Sequence, residues 1–248
     1  MAQKQLSKFL DEKLEENKKA TSSELTFMYD GVLYPTMVCC PETLKRVHTF
    51  RAREDDIILV SYPKTGKHHS FARNAFVSVH IEYRIIGMEK LPSRRVIRTH
   101  LIPQKLPRSF FEKKTKILVL FRNPKDAAVS FFHFTKGINM RPDQNTWDEF
   151  FEEFITGKGV LFFLFIGKQY TFLKNSYSLG ETLSLPLSSH LLPTNKILFF
   201  PFLSLGIVGD WTSVFSESQN EKMDKKFEET VGKTQLGMKL KYEVYCKN

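Results

Sequence analysis

Apolar and polar positions alternate along this chain in blocks of different period, and the blocks predict an ordered series of elements. Leu6, Phe9, Leu10 and Leu14 recur near helical spacing among lysines and glutamates, which predicts an amphipathic surface helix over residues 6–19. "ETLKRVHTF" (42–50) predicts a short helix. "DDIILVSYP" (55–63), "RRVIRTHL" (94–101) and "KILVLFRNP" (116–124) are apolar runs that each end in a polar loop, as the strands of a parallel α/β sheet do. A helix opens directly after the third strand at "KDAAVSFFHF". "TWDEFFEEFITG" (146–157) predicts a capped amphipathic helix, with Thr146 three residues before Glu149. "SQNEKMDKKFEETV" predicts one more near the C-terminus.

Two stretches break the pattern. Residues 67–86, "KHHSFARNAFVSVHIEYRII", carry a muddled period. Residues 160–208 hold only four charged residues, Lys168, Lys174, Glu181 and Lys196, between flanks dense in charge. No helical or strand period runs through them. So sharp a break suggests a segment of different origin, such as an alternative exon or a mistaken gene model. A buried core segment, also charge-poor, is the other reading.

Composition narrows the class without naming the chemistry. The 248 residues are enough for one domain, and 42% hydrophobic with 26% charged residues is a globular balance. Twenty-three phenylalanines predict an aromatic core. A net charge of +10 draws anions of any kind: nucleic acid, acidic membrane or phosphorylated cofactors. Nucleic acid is disfavoured, because no recognisable module or aromatic-basic interleaving is present. Cys39, Cys40 and Cys246 are too few and too odd in number for a disulfide framework, so a reducing compartment is expected. The charged N-terminus lacks a signal core, and "VLFFLFI" (160–166) is too short to span a bilayer. The expectation is a cytoplasmic protein with no membrane partner.

Three strand-end groups can carry chemistry. The turn Lys64-Thr65-Gly66-Lys67 offers backbone N–H groups and two cations to an anion. It is a poor ATP-binding P-loop, since Ser61 stands where the leading glycine belongs and His68 where the hydroxyl belongs. A plain strand-to-helix turn would look much the same. Arg122 closes the third strand, and Ser130 follows on the helix, a pairing that suits phosphate, with Arg122 as a plain surface charge the other reading. Asp126 sits where it suits the helix dipole. His100 ends the second strand, where parallel sheets bind ligands, and is a candidate general base, although a lone histidine is more often structural.

In common order, these segments resemble the cytosolic sulfotransferases, most closely their 6B branch. "YPKTG" matches the 5′-phosphosulfate loop, "RTHL" the catalytic histidine segment, "FRNPKDAAVSFFHF" the 3′-phosphate motif, and "GDWTSVFSESQNEKMDKKFEE" the C-terminal signature. The resemblance spans residues 1–66, about 87–159, and 207–248. It implies an α/β fold with a central parallel sheet flanked by helices, a P-loop-like nucleotide-binding architecture, incomplete relative to the family. The whole chain, 1–248, is then a single domain with 67–86 and 160–208 atypical. It also implies sulfuryl transfer from 3′-phosphoadenylyl sulfate (PAPS) to a hydroxyl or amine of a small-molecule acceptor, with no metal. His100 would take the acceptor proton and Lys64 would stabilise the leaving phosphate. Lys64, Thr65, Gly66 and Lys67 would hold the donor's phosphosulfate end, and Arg122 and Ser130 its 3′-phosphate.

The chain departs from the family in four places. Lys67, His68 and His69 replace hydroxyl residues and an adenine-stacking tryptophan. No counterpart of the Tyr-Glu-Asp strand end is found, and Ser204 and Leu205 stand where Arg and Lys precede GDW. The dimer motif has Thr212 for its leading Lys and Ser216-Glu217 for Thr-Val, although Glu221 remains, which weakens the case for a homodimer. These losses predict an impaired form. The alternative is a non-catalytic isoform or fragment with an interaction role or none.

Overall fold

A computed structural model of the chain describes residues 12, 15–16, 18–36, 39–64, 88–101, 103–137, 139–140, 146–157, 178–182, 196–201, 209–234, 237–238 and 242–247. An antiparallel hairpin, β1 (Thr26–Tyr29) and β2 (Val32–Pro35), opens the fold after the short helix α1 (Ser22–Leu25). Helix α2 (Pro41–Thr49) follows, with Pro41 at its start, where a missing N–H costs nothing. The central sheet uses β3 (Ile57–Ser61), β4 (Val96–Thr99), β5 (Lys116–Phe121), β6 (Ser178–Thr182) and β7 (Lys196–Pro201). Its spatial order is β4-β3-β5-β7-β6, and every pair is parallel. Helices α3 (Arg108–Glu112), α4 (Pro124–Gly137), α5 (Trp147–Thr156), α6 (Glu217–Phe227) and α7 (Tyr242–Cys246) complete the elements named here.

All five residues of β3 are buried. Successive side chains of a strand point to opposite faces, so both faces of the sheet are covered there. That is why "IILV" reads as an unbroken apolar run and not as an alternation. One core joins the sheet to its helices: Ile58, Val60, Ile117 and Val119 pack with Val47, Phe110, Ala128, Phe131, Phe151 and Met223. Helix α5 buries Phe150, Phe151, Phe154 and Ile155 on one side. Each such aromatic contributes about 1.5–3 kcal/mol when fully buried. Thr146 caps α5 as its spacing predicts: it accepts from Glu149 N at 3.3 Å, and its own N–H donates to Glu149 Oε2 at 3.1 Å. Gly157 ends the helix at φ +78°, a conformation that favours glycine.

The apolar positions of the predicted 6–19 helix lie outside the described residues, as do residues 67–86. In the 160–208 stretch the structure departs from expectation. It places two strands there, and β7 pairs with β5 from Ile117↔Ile197 to Phe121↔Pro201. A strand is therefore present beside "KILVLF", in a stretch through which no strand period was read. The misreading has a physical cause. "KILFFP" is a short apolar run, which shows neither period 2 nor period 3.6 and cannot be told from other apolar sequence by periodicity. These eleven residues of the stretch belong to the central sheet. The end of β7 carries Pro201 and no carboxylate.

Candidate functional site

The direction of the strand order reverses between β3 and β5. The chain leaves β3 toward β4 on one side, then returns to lay β5 on the other side of β3. β3 and β5 therefore flank a topological switch point, and it is in the crevice at the carboxyl ends of such strands that open α/β sheets bind ligands. His100 follows β4, Lys64 follows β3, and Arg122 follows β5. Three adjacent strands thus deliver three of the predicted residues to one edge.

His100 is tied to the neighbouring strand. Its Nδ1 stands 2.7 Å from the carbonyl oxygen of Ser61, the last residue of β3, and 3.5 Å from Ser61 Oγ. A carbonyl only accepts, so Nδ1 carries the proton and donates it. In the neutral ring Nε2 is then left unprotonated. Burial pushes the His100 pKa below the ordinary 6.5, the bond to Ser61 O opposes this, and the nearby Arg98 charge lowers it further. The shift favours the neutral imidazole, which is the form a general base needs.

Lys64 has φ +68°, a left-handed conformation seldom adopted by side chains other than glycine. Its carbonyl accepts from Arg122 Nη1 at 3.0 Å, so the β3 and β5 loops are joined across the crevice. Lys64 Nζ lies 4.8 Å from the centroid of the Phe134 ring on α4. Arg122 Nε is buried with no hydrogen-bond partner among the described residues. A buried charged donor without a partner costs stability unless an anion meets it. Ser130 is half-buried on α4, one turn before Phe134, so the two share a side of the helix. Thr65, Gly66 and Lys67 lie outside the described residues.

The segment "RNPKD" folds as a helix start. Asn123 Oδ1 accepts from Lys125 N at 2.9 Å, and Pro124 takes the first helical position. The two residues after Pro124 do what sequence reasoning missed. Asp126 does more than suit the helix dipole: buried, it accepts from Gly209 N at 3.1 Å and Trp211 N at 3.2 Å. Gly209 has φ +90°, which requires glycine. The motif after β5 and the "GDW" block, more than eighty residues apart, are therefore one unit. Lys125 is fully buried, with its ammonium on Asp224 Oδ1 and on the Cys246 carbonyl, both at 2.5 Å, and on Asn220 Oδ1. It also lies 4.3 Å over the Trp211 ring. A lysine beside an aspartate in a helix N-terminus gave no hint of this, because all its partners come from distant sequence.

Among the described residues no helix is long and apolar enough to cross a membrane, and no group of three or more His, Cys, Asp or Glu could hold a metal ion. Cys39, Cys40 and Cys246 are free thiols.

The sulfotransferase-domain family matches residues 69–165, a range that opens just past the Lys64 loop. Sulfotransferase 6B1 of Homo sapiens and that of Mus musculus are each 35% identical to this chain, covering 96% of both partners. The Danio rerio protein of that name is 29% identical over 94% of this chain and 98% of its own length. The human alignment runs over 292 positions, more than the 248 residues available, so gaps fall on this chain's side. Mouse sulfotransferase SULT7A1, solved as a complex with PAP, superposes with a TM-score of 0.69 over 90% of this chain and all of its own, at 23% identity, and so shares the fold. The parallel sheet, the order of its strand-end motifs and an identity of 35% sustained from end to end have one common explanation: this chain belongs to the sulfotransferases.

Proposed function

We propose that the chain, as one domain over residues 1–248, transfers a sulfuryl group from PAPS to a hydroxyl or amine of a small molecule in the cytoplasm. No metal, nucleic acid or membrane takes part. The observation that carries this reading is the meeting of His100, Lys64 and Arg122 at the ends of three adjacent parallel strands, tied by the bonds to Ser61 O and Lys64 O. His100 Nε2 accepts the acceptor's proton as its oxygen or nitrogen bonds to sulfur. The sulfur–oxygen bond to the 5′-phosphate breaks, and the Lys64 ammonium offsets the charge that collects on that oxygen. Arg122, with its buried Nε, and Ser130 hold the 3′-phosphate, and Thr65, Gly66 and Lys67 are assigned to the donor's 5′-phosphosulfate end. The transferred group carries spread negative charge, so positioning and fixed positive charge do most of the catalysis.

The presence of β7 beside β5 favours an enzyme over a non-catalytic fragment, because the sheet under the site is continuous. Donor affinity is where this chain is weak. Ser204 and Leu205 supply none of the charge that the family places there. Two lost charge-assisted bonds, at about 1.5–3 kcal/mol each, weaken binding about a hundredfold or more. Calorimetric titration with PAP, beside a sulfate-transfer assay on phenols and amines, tests both parts. Saturable binding weaker than micromolar, tightened by Leu205→Lys, is the expected result. Micromolar affinity in the unaltered chain would show that the missing cations are not needed. No binding at millimolar PAP and no transfer would overturn the enzyme reading in favour of the non-catalytic one.

A further inference from the structure

We infer that Phe134 is a positioning residue for Lys64: its ring holds the ammonium at the mouth of the crevice, where charge builds on the departing phosphate. Its meaning for catalysis rests on the role of Lys64 proposed above. At 4.8 Å from the ring centroid, Lys64 Nζ is within cation–π range. Phe134 is 37% exposed, whereas Phe131 and Phe132 of the same helix are buried. The ring is nonetheless anchored. It stacks on Phe131 at 6.4 Å and 19°, and Phe131 meets Tyr62 edge-on at 5.7 Å. Tyr62 lies two residues before Lys64, so one aromatic stack references both the backbone entry and the charged tip of that lysine. The Arg122 bond to Lys64 O fixes the point between them. A lysine stem has several rotatable bonds, and holding it at both ends narrows its tip to one region.

The type of partner matters. A carboxylate would hold the ammonium more firmly, but it would cancel the positive field and repel a doubly phosphorylated donor. An aromatic face attracts the cation through its quadrupole and brings no net charge. The ring attracts the Lys64 ammonium without adding a negative charge of its own.

Brief acylation of the full chain with an amine-reactive acetyl ester, read peptide by peptide by mass spectrometry, tests this. Phe134→Leu raises labelling of Lys64 by about two- to fivefold, the size of an exposed cation–π contact expressed as a population. Lys136, whose Nζ lies over Phe132, keeps its labelling and reports that α4 stays folded. Phe134→Tyr and Phe134→Trp restore the low labelling. Trifluorinated phenylalanine at 134, which keeps the ring but loses its negative face, labels like the leucine variant. Equal labelling of Lys64 in the Leu variant and the parent overturns the inference, and so does failure of Tyr and Trp to restore it. The readout needs no turnover. A chain that neither binds PAP nor transfers sulfate would remove the sulfotransferase reading and leave this result standing. Where transfer is measurable, kcat falls with Leu and returns with Tyr and Trp, and a kcat indifferent to Leu refutes the catalytic meaning.

Discussion

Replacing Lys125 by methionine removes the ammonium that joins helix α4 to the C-terminal helices. The side chain is fully buried, and its head touches Asp224 Oδ1, the Cys246 carbonyl and Asn220 Oδ1, with the Trp211 ring below it at 4.3 Å. Methionine fills most of the volume and keeps contact with the ring, so the loss is electrostatic. Breaking a buried ion pair from one side costs about 3–5 kcal/mol. Asp224 is 23% exposed and still accepts from Tyr242 Oη at 2.8 Å, so its abandoned charge reaches water and keeps a donor. That sets the expectation at the lower end, about 3 kcal/mol. In a domain of this size such a loss lowers Tm by about 6–12 °C. Urea unfolding followed by circular dichroism and tryptophan fluorescence measures it directly. Adding Asp224→Asn to Lys125→Met removes the orphaned carboxylate and recovers at least about 1 kcal/mol, a non-additivity expected of groups in contact. A loss under about 1 kcal/mol for Lys125→Met, or strict additivity in the cycle, would refute the account of Lys125 as a buried charged joint.

Asp126→Asn leaves one oxygen for two backbone donors and puts an N–H against one of them. It is expected to cost about 1.5–3 kcal/mol and to raise hydrogen exchange at Gly209 and Trp211. The His100 pKa in the folded chain lies below 6.5, so folding disfavours its proton. Its stabilisation is complete above pH 6.5 and is lost as pH falls through that value toward the folded pKa. Urea midpoints between pH 7.5 and 5 should fall with pH in the parent and fall less in His100→Asn, which cannot titrate; parallel curves would contradict the shift. Lys64→Gly relieves the left-handed strain at φ +68° and should raise stability by up to about 1 kcal/mol while sulfate transfer is lost. A Tm no higher than the parent's would show that the loop is not strained. Arg95→Lys breaks the buried bidentate pair with Asp56, whose two bonds measure 2.7 and 2.5 Å, and should cost more stability than Lys113→Ala, whose partner Glu54 is exposed.

Local chemistry was legible in the linear chain wherever neighbours in sequence are also neighbours in space. Thr146 with Glu149 follows from side chains reaching backbone groups a few residues away, and the helix after the third strand from its run "KDAAVSFFHF". The apolar runs of β3 and β5 and the polar residues that end them follow in the same way. His100, Lys64 and Arg122 could be nominated because each stands where an apolar run stops, and the resemblance supplied their order. Tertiary structure alone decided the rest. Only the strand order puts those three ends side by side, and only the bond to Ser61 O chooses the tautomer of His100. Asp126 and Lys125 find their partners more than eighty residues away, a distance that no window of periodicity spans. Strand β7 was missed for a related reason: "KILFFP" is a short apolar run inside a stretch rich in Phe and Leu, and only its pairing with β5 and β6 marks it as a strand.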